Sequence, residues 1–520
     1  MNVADRILRN GKSTAPAVLS QSGTVTYGEL RRQVSHISQF LLDRGRAKGE
    51  RVGLLAENGA FFVAAYLGII RAGLVAVPLQ TELTPQALAQ IASDSGMREL
   101  LVSQRLVAKA RALTTAAHIP FLIEVDLSNS SAPESGLIAE IDQAVDLAAL
   151  MFTSGSTGSP KGVMITHRNI ECNSLDILSY LGLSSEDRAM VVLPFHYCFG
   201  LSLLHTHLFA GASVVLNNSF RLFPEQMLQE LQETKCTGFA GVPSTYQILL
   251  RKTRFLEMAF PKLKWFQQAG GKLPNPCIQQ LLSAFPSVRF FLMYGQTEAT
   301  ARLSYLPPER VRDKLGSIGK GLPSTRLQVL KDDGTPVTPG SSETGEIVAT
   351  GDNIARGYWN DPVETACFFR NGRLYTGDLA RVDKDGFIFF VERERDIIKP
   401  GGNRVSAREV EDIIAEIPDV VEVAVVGAPH ELMGEVIKAF VVLRPNAEIT
   451  TEGIAAHCRK VLPAFKIPHA ITCLSSMPHN AAGKILKSKL RELANRTGSY
   501  PVPRTTEFHC HVASSEIQPT

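Results

Sequence analysis

Nothing in this 520-residue chain is apolar for long enough to span a bilayer. Its longest strongly apolar stretch starts at Phe61 and is broken by Arg71 after ten residues, whereas a membrane helix needs about twenty. The opening MNVADRILRNGKS has no apolar core, so no export signal is expected. Charge of one sign is not in excess either: 54 Lys and Arg stand against 51 Asp and Glu, a net charge of +3. That balance argues against a protein built to coat nucleic acid or an anionic membrane, and leaves room for a small basic site. Cysteine is sparse, with eight residues and no C-x-x-C pair. Free thiols in a reducing cytoplasm are expected rather than a disulfide scaffold. His509-Cys510-His511 has the outline of a metal fragment, but it stands in a polar tail without a partner cluster, so no ligation is expected there. No internal repeat is visible.

What is present is an ordinary globular composition, 44% hydrophobic and 20% charged. The length suggests about two to four domains. Thr26-Tyr27-Gly28-Glu29 reads as a capping box opening a helix to about residue 43, closed by Gly45. Residues 51–56 read as a buried strand, 61–71 as a helix and 73–79 as another strand. The alternation continues to about Leu292 and predicts an α/β class with largely parallel sheets. From Thr325 to Glu392 the texture changes to short strands, at 326–330, 345–349 and 386–391, separated by Asp-Gly, Pro-Gly and Asn-Gly turns. The charge run Glu392-Arg-Glu-Arg-Asp396 then leads to a separate α+β module. There Ser406 caps a helix with Glu409 at its third position, and Val410, Ile413, Ile414 and Ile417 form its apolar stripe. The predicted division is 1–394, 396–495 and a loose tail over 496–520.

The most informative segment is Thr153-Ser154-Gly155-Ser156-Thr157-Gly158-Ser159-Pro160-Lys161-Gly162, entered from the apolar run 148–152. Its glycines let successive backbone N–H groups turn toward one point, its hydroxyls add donors and Lys161 adds charge. Such a loop can wrap a polyphosphate, although the Walker pattern G-x-x-x-x-G-K-[ST] does not fit it.

With that loop the chain resembles the adenylate-forming superfamily: acyl-CoA synthetases, peptide-synthetase adenylation domains and beetle luciferases. Further motifs follow in the superfamily's order: Tyr294-Gly-Gln-Thr-Glu-Ala299, Tyr375-Thr-Gly-Asp-Leu379, Glu392-Arg-Glu-Arg-Asp396 with Lys399-Pro-Gly-Gly402, and Asn480-Ala-Ala-Gly-Lys484. The resemblance covers roughly residues 15 to 492. It implies a large N-terminal domain of two α/β subdomains plus a β-barrel-like one, followed by a small mobile α+β C-terminal domain. It also implies two steps: a carboxylate attacks the α-phosphate of ATP to give an acyl adenylate and pyrophosphate, and a thiol then displaces AMP. The first step gathers negative charge, so the site needs cations and preorganised donors.

By the same resemblance Thr297 donates to the α-phosphate, and Glu298 holds Mg2+, for which a carboxylate is a suitable hard ligand. Tyr294 packs on adenine, with Gly270 and Gly271 along the base edge. Asp378 accepts from the ribose hydroxyls and Arg393 adds a donor. Lys484 bridges carboxylate and phosphate from the small domain, and Arg395 stands at the hinge. The hinge residue is usually acidic or lysine in the superfamily, so the arginine is a departure.

Pro194-Phe-His-Tyr-Cys-Phe-Gly200 matches the segment that faces the acid, with His196 gating the carboxylate. Cys198 stands where amino-acid-activating relatives carry an aspartate for the substrate ammonium. A neutral residue would leave a bound ammonium unpaired, which favours an acid without one. Phe199, Val242, Met293 and Thr300 are expected to complete an apolar pocket. The expected activity is an AMP-forming ligase joining a small carboxylic acid to CoA. The alternative is a free-standing adenylation enzyme that loads an acyl or amino acid, proline for example, onto the phosphopantetheine of a carrier protein. A non-catalytic nucleotide-binding scaffold would predict damage at Lys161, Glu298 or Lys484, and none is damaged.

Overall fold

The structure is a computed structural model that describes residues 1–117, 119–124, 139–154, 160–393, 396–403, 405–480, 483 and 485–496. Two α/β layers form its large part. In the first, an eight-stranded sheet runs in the order Ser304–Leu306, Arg289–Tyr294, Trp265–Gln268, Gly238–Gly241, Arg188–Val191, Ser213–Leu216, Pro16–Ser20, Gly23–Thr26. Its strands are parallel except for an antiparallel strand at each edge. In the second, a six-stranded sheet runs Phe121–Ile123, Leu100–Val102, Arg51–Leu55, Val75–Pro78, Leu147–Ser154, Pro160–Thr166, parallel except for the final hairpin. Parallel strands covered on both faces are apolar throughout, which is why residues 51–55 and 75–78 showed no alternation.

The two sheets share one core with the helices Ala60–Arg71 and Cys198–Phe209. Every residue from Phe62 to Arg71 is buried, so this helix has no solvent face. Helix Tyr27–Asp43 begins at the predicted capping box: Thr26 accepts from the Glu29 N–H, and the Glu29 carboxylate accepts from the Thr26 N–H at 2.8 Å.

The β-rich stretch forms a five-stranded antiparallel sheet built on Arg373–Val382. Its last strand is Ile388–Arg393, two residues later than the turn signals implied. The C-terminal module has a three-stranded sheet of Val420–His430, Gly434–Leu443 and Ala470–Cys473, covered by helices Ala407–Ala415 and Thr451–Val461. Ser406 caps the first of these helices as predicted. No described helix is long and apolar enough to cross a membrane.

The C-terminal module lies against the large part through polar contacts. Ser244 donates to the Gly483 carbonyl at 2.8 Å and Arg221 to the Asn480 carbonyl at 2.9 Å. Lys272 pairs with Asp412 at 2.6 Å, and Arg251 donates to the Pro418 carbonyl at 3.2 Å.

Candidate active site

Three adjacent parallel strands deliver the candidate residues to one edge. Gly238–Gly241 leads into Val242, Trp265–Gln268 into Gly270 and Gly271, and Arg289–Tyr294 into the turn that carries Thr297, Glu298 and Thr300. Crevices beyond the carboxyl ends of parallel strands are where α/β sheets bind ligands. Gly270 has φ +85°, and a Cβ there would stand 3.1 Å from Val242 Cγ1. Val242 therefore packs under the glycine loop, and it also faces Gly483 of the C-terminal module. The chain turns so sharply after Tyr294 that Thr300 holds φ +66°, fixed by its hydroxyl donating to the Asn353 carbonyl at 2.7 Å. A β-branched residue in that region stores strain that the surrounding contacts must hold.

The second sheet contributes from the other side. Thr153 pairs with Lys161 across the last hairpin, which brings the lysine to the end of the loop expected to hold phosphate. Gly155, Ser156, Thr157 and Gly158 lie outside the described residues, as do Arg395 and Lys484, and Ser154 is described in its backbone alone. The Lys161 ammonium is paired with the Glu364 carboxylate and stands 5.7 Å from the centre of the Tyr358 ring. Tyr358 donates to Glu298 Oε1 at 2.8 Å. Its segment is stitched to the strand after the phosphate loop, with the Trp359 N–H donating to the Gly162 carbonyl and the Met164 N–H to the Gly357 carbonyl. Lys161, Glu364, Tyr358 and Glu298 thus form one polar chain between the sheets. Burial and the Glu298 charge push the Tyr358 phenol well up, so it stays a donor.

Asp378 is 1% exposed, and both its oxygens are engaged. Tyr294 donates to Oδ2 at 2.7 Å and Arg393 Nε to Oδ1 at 2.9 Å. A carboxylate has about four acceptor positions, so two remain for a ligand's hydroxyls. Tyr294 reaches this place from the strand end and Arg393 from the neighbouring antiparallel strand.

On the side expected to face the acid His196 is buried, and burial brings its pKa down to about 3, so the ring is neutral. Cys198 begins its helix and accepts from the Thr297 hydroxyl at 3.4 Å. Burial pushes the Cys198 thiol up. The position is therefore uncharged, as the sequence implied. Cys198 and Thr300 line a small cavity of about 20 Å³ together with Asn173, Ser202 and His205. Phe199 and Met293 lie beside it, both against the guanidinium of Arg302.

Tyr358, Glu364 and Arg302 were missed in the sequence. Glu364 does carry a signal, because Asp361-Pro-Val-Glu364 has capping spacing and Asp361 does accept from the Glu364 N–H. That pattern assigns the carboxylate to its own helix, whereas it reaches Lys161 instead.

Among the described residues no group of three His, Cys, Asp or Glu side chains forms a metal cage. Mg2+ is held in such sites by one or two carboxylates with substrate phosphates. Glu298, with one oxygen taken by Tyr358, fits that requirement.

The sequence matches the AMP-binding enzyme family over residues 6–359 and the AMP-binding enzyme C-terminal domain over residues 409–484. The chain belongs to the AMP-binding enzyme family. Within it, this member is 33% identical over 480 residues to a feruloyl-CoA synthase of Amycolatopsis, covering 92% of this chain and 95% of the relative. It is similar to an anthranilate CoA ligase in complex with anthranoyl-AMP, with TM-score 0.88, 26% identity and coverage of 96% and 98%. It is also similar to the o-succinylbenzoate coenzyme A synthetase of Bacillus subtilis in complex with ATP and magnesium, with TM-score 0.83, 28% identity and coverage of 95% and 99%.

Proposed function

We propose that this AMP-binding enzyme activates a small carboxylic acid as its acyl adenylate and passes the acyl group to the thiol of CoA. In class it is an AMP-forming acid–thiol ligase. The observation that supports the reading is that Lys161, Tyr358 and Glu298 join two sheets in one polar chain while Tyr294, which leads into the Glu298 turn, donates to Asp378 of a third, in a chain whose relatives named above are CoA ligases.

In this reading the loop 153–158 and Lys161 receive the phosphates of ATP. Thr297 donates to the α-phosphate, Asp378 takes the ribose hydroxyls, and Arg393 and Tyr294 hold Asp378 in place. Tyr294, Gly270 and Gly271 border the adenine. Glu298 would hold Mg2+, which supplies charge neutralisation for the departing pyrophosphate. The substrate carboxylate attacks the α-phosphorus, the bond to pyrophosphate breaks, and neutral His196 leaves the carboxylate's charge uncompensated until Lys484 approaches. The thiol sulfur then attacks the acyl carbon and AMP leaves with the bonding pair. Arg395 serves the rotation of the C-terminal module between the two steps. The described cysteines are unpaired, which supports a reducing cytoplasm as the working compartment.

ATP–pyrophosphate exchange over fatty, aryl and amino acids tests the first step. Adding CoA, or a phosphopantetheinylated carrier protein, and weighing the thioester tests the second. The expected product is an acyl- or aryl-CoA. Loading of the carrier with no CoA thioester would overturn the acceptor assignment.

A further inference from the structure

Among the described residues Arg302 has no carboxylate partner. It is 1% exposed. Its guanidinium carbon stands 4.2 Å from the centre of the Phe199 ring, and its Nε donates to Met293 Sδ at 3.1 Å. Thioether sulfur is a weak acceptor, and Tyr180 shares it, its hydroxyl donating to the same atom at 3.2 Å. Nη2 is buried with no hydrogen-bond partner among the described residues, and no described carboxylate pairs with the side chain. The ionisable neighbours whose charge bears on Arg302 are Tyr180 and Cys198, a phenol and a thiol, and the Tyr180 hydroxyl also lies in hydrogen-bonding reach of the guanidinium. Burial holds both in the neutral form, so neither supplies an anion.

The backbone of Arg302 is held firmly. Its N–H donates to Asn173 Oδ1 at 3.3 Å, and its carbonyl accepts from Asn173 Nδ2 at 2.9 Å and Asn353 Nδ2 at 2.8 Å. The side chain is thus fixed in place with part of its donor fork unspent. Burying an unpaired cation costs several kcal/mol. For stability alone, an apolar side chain of the same volume would do better there.

The location says what the cation serves. Phe199 and Met293, which both contact it, belong to the expected acid pocket, and Cys198 next door takes the Thr297 hydroxyl. The contacts run Thr297, Cys198, Phe199, Arg302, so the guanidinium stands beyond the pocket wall from the residues that handle phosphate. We propose that the acid activated by this enzyme carries a second carboxylate, and that Arg302 pairs with it. This rests on the acid–ligase reading above. A planar guanidinium stacked on a ring presents its donor edge to a planar carboxylate, which can accept from two N–H groups. During adenylation one carboxylate attacks the α-phosphorus and pyrophosphate departs. The other keeps its charge, forms no covalent bond and neutralises Arg302.

The test is pyrophosphate exchange with matched pairs of acids: succinate with butyrate, glutarate with valerate, adipate with hexanoate, isophthalate with benzoate. In the wild type at least one diacid should exceed its monoacid partner in kcat/KM by about 100-fold, the usual weight of a buried charge pair. Arg302→Met should abolish that ratio, lowering the diacid by about the same factor and the monoacid by far less. Arg302→Lys should keep part of the preference. Without ligand, the thermal midpoint of Arg302→Met should equal or exceed that of the wild type. The best diacid should raise the wild-type midpoint and leave the variant's unmoved. Equal loss for both members of a pair would make Arg302 structural and overturn the inference. So would a monoacid, phenolic ones included, that outruns every diacid in the wild type. That ratio needs no variant, so it decides the matter even if Arg302→Met fails to fold. Exchange reads adenylation alone, so a monoacid preference overturns this inference and leaves the ligase reading standing. Silence from every acid overturns both.

Discussion

The Tyr358 hydroxyl and Glu298 Oε1 lie 2.8 Å apart, although sixty positions separate the two residues in the chain. The same tyrosine faces the Lys161 ammonium across its ring. One phenol therefore touches the proposed metal carboxylate and the phosphate-loop lysine together. Removing a group that orients a metal ligand typically costs about 10-fold or more in metal affinity. Tyr358→Phe should raise the Mg2+ concentration needed for half-maximal pyrophosphate exchange by about that factor. Thioester formation from a supplied acyl adenylate should be spared. An unchanged Mg2+ midpoint would separate Tyr358 from the metal.

Asp378 supplies a second prediction. If its remaining acceptor positions take the ribose hydroxyls, the wild type should prefer ATP to 2′-deoxy-ATP. Asp378→Asn should weaken ATP use by about 10-fold or more, as for a charged hydrogen bond, and should narrow the preference. The measurement is kcat/KM for both nucleotides in both proteins. A preference that survives intact would place ribose recognition elsewhere.

Gly483 tests the docking of the small domain. It holds φ +82°, and a Cβ there would stand 2.8 Å from Ser244 Oγ and 3.2 Å from Val242 Cγ2. Left-handed backbone costs a residue with a side chain about 1–2 kcal/mol before any clash is counted. Gly483→Ala should therefore slow pyrophosphate exchange by about 10-fold and leave the thiol step from supplied adenylate nearly untouched. Equal loss in both half-reactions would show that this contact is not specific to the first.

Four buried histidines predict acid lability. Burial lowers His167 and His207 to about 4, and His196 and His205 to about 3, from the ordinary 6.5. The unfolded chain takes up protons below pH 6.5 that the folded chain refuses, so stability falls as pH falls from there toward 4. At pH 5 each histidine contributes a loss of about 2 kcal/mol. The thermal midpoint should be level from pH 8 to 7 and fall steeply toward 5, with a shallower fall in His205→Gln. A midpoint that holds steady down to pH 5 would contradict these shifts.

The fold was legible where one local rule governed. Thr26 with Glu29, and Ser406 with Glu409, marked helix starts because capping is satisfied within four residues. The motifs singled out Lys161, Glu298 and Asp378 because each stands in a stretch of specialised composition, Lys161 and Asp378 on strands and Glu298 in a turn. What spacing could not supply were the partners. Tyr358 meets Glu298, and Glu364 meets Lys161, only through the pairing of the 355–359 segment with the strand after the phosphate loop. Nor could a lone arginine four places after Glu298 announce that it would be buried on Phe199.

Among the described residues the seam between the two domains is largely polar: hydrogen bonds to the carbonyls of Gly483, Asn480 and Pro418, another from the Ala407 N–H to Glu392 Oε1, the ion pair of Lys272 with Asp412, and Arg408 over the Phe390 ring. Water can replace each such bond at small net cost, and salt screens the pair. The latch is therefore cheap to open and poor at holding. In the proposed rotation of the small domain, the share of time spent closed would be a quantity set by the surrounding solution. Ionic strength would then act on the enzyme as a gear, shifting the ratio of adenylate made to adenylate consumed while the fold beneath stays the same.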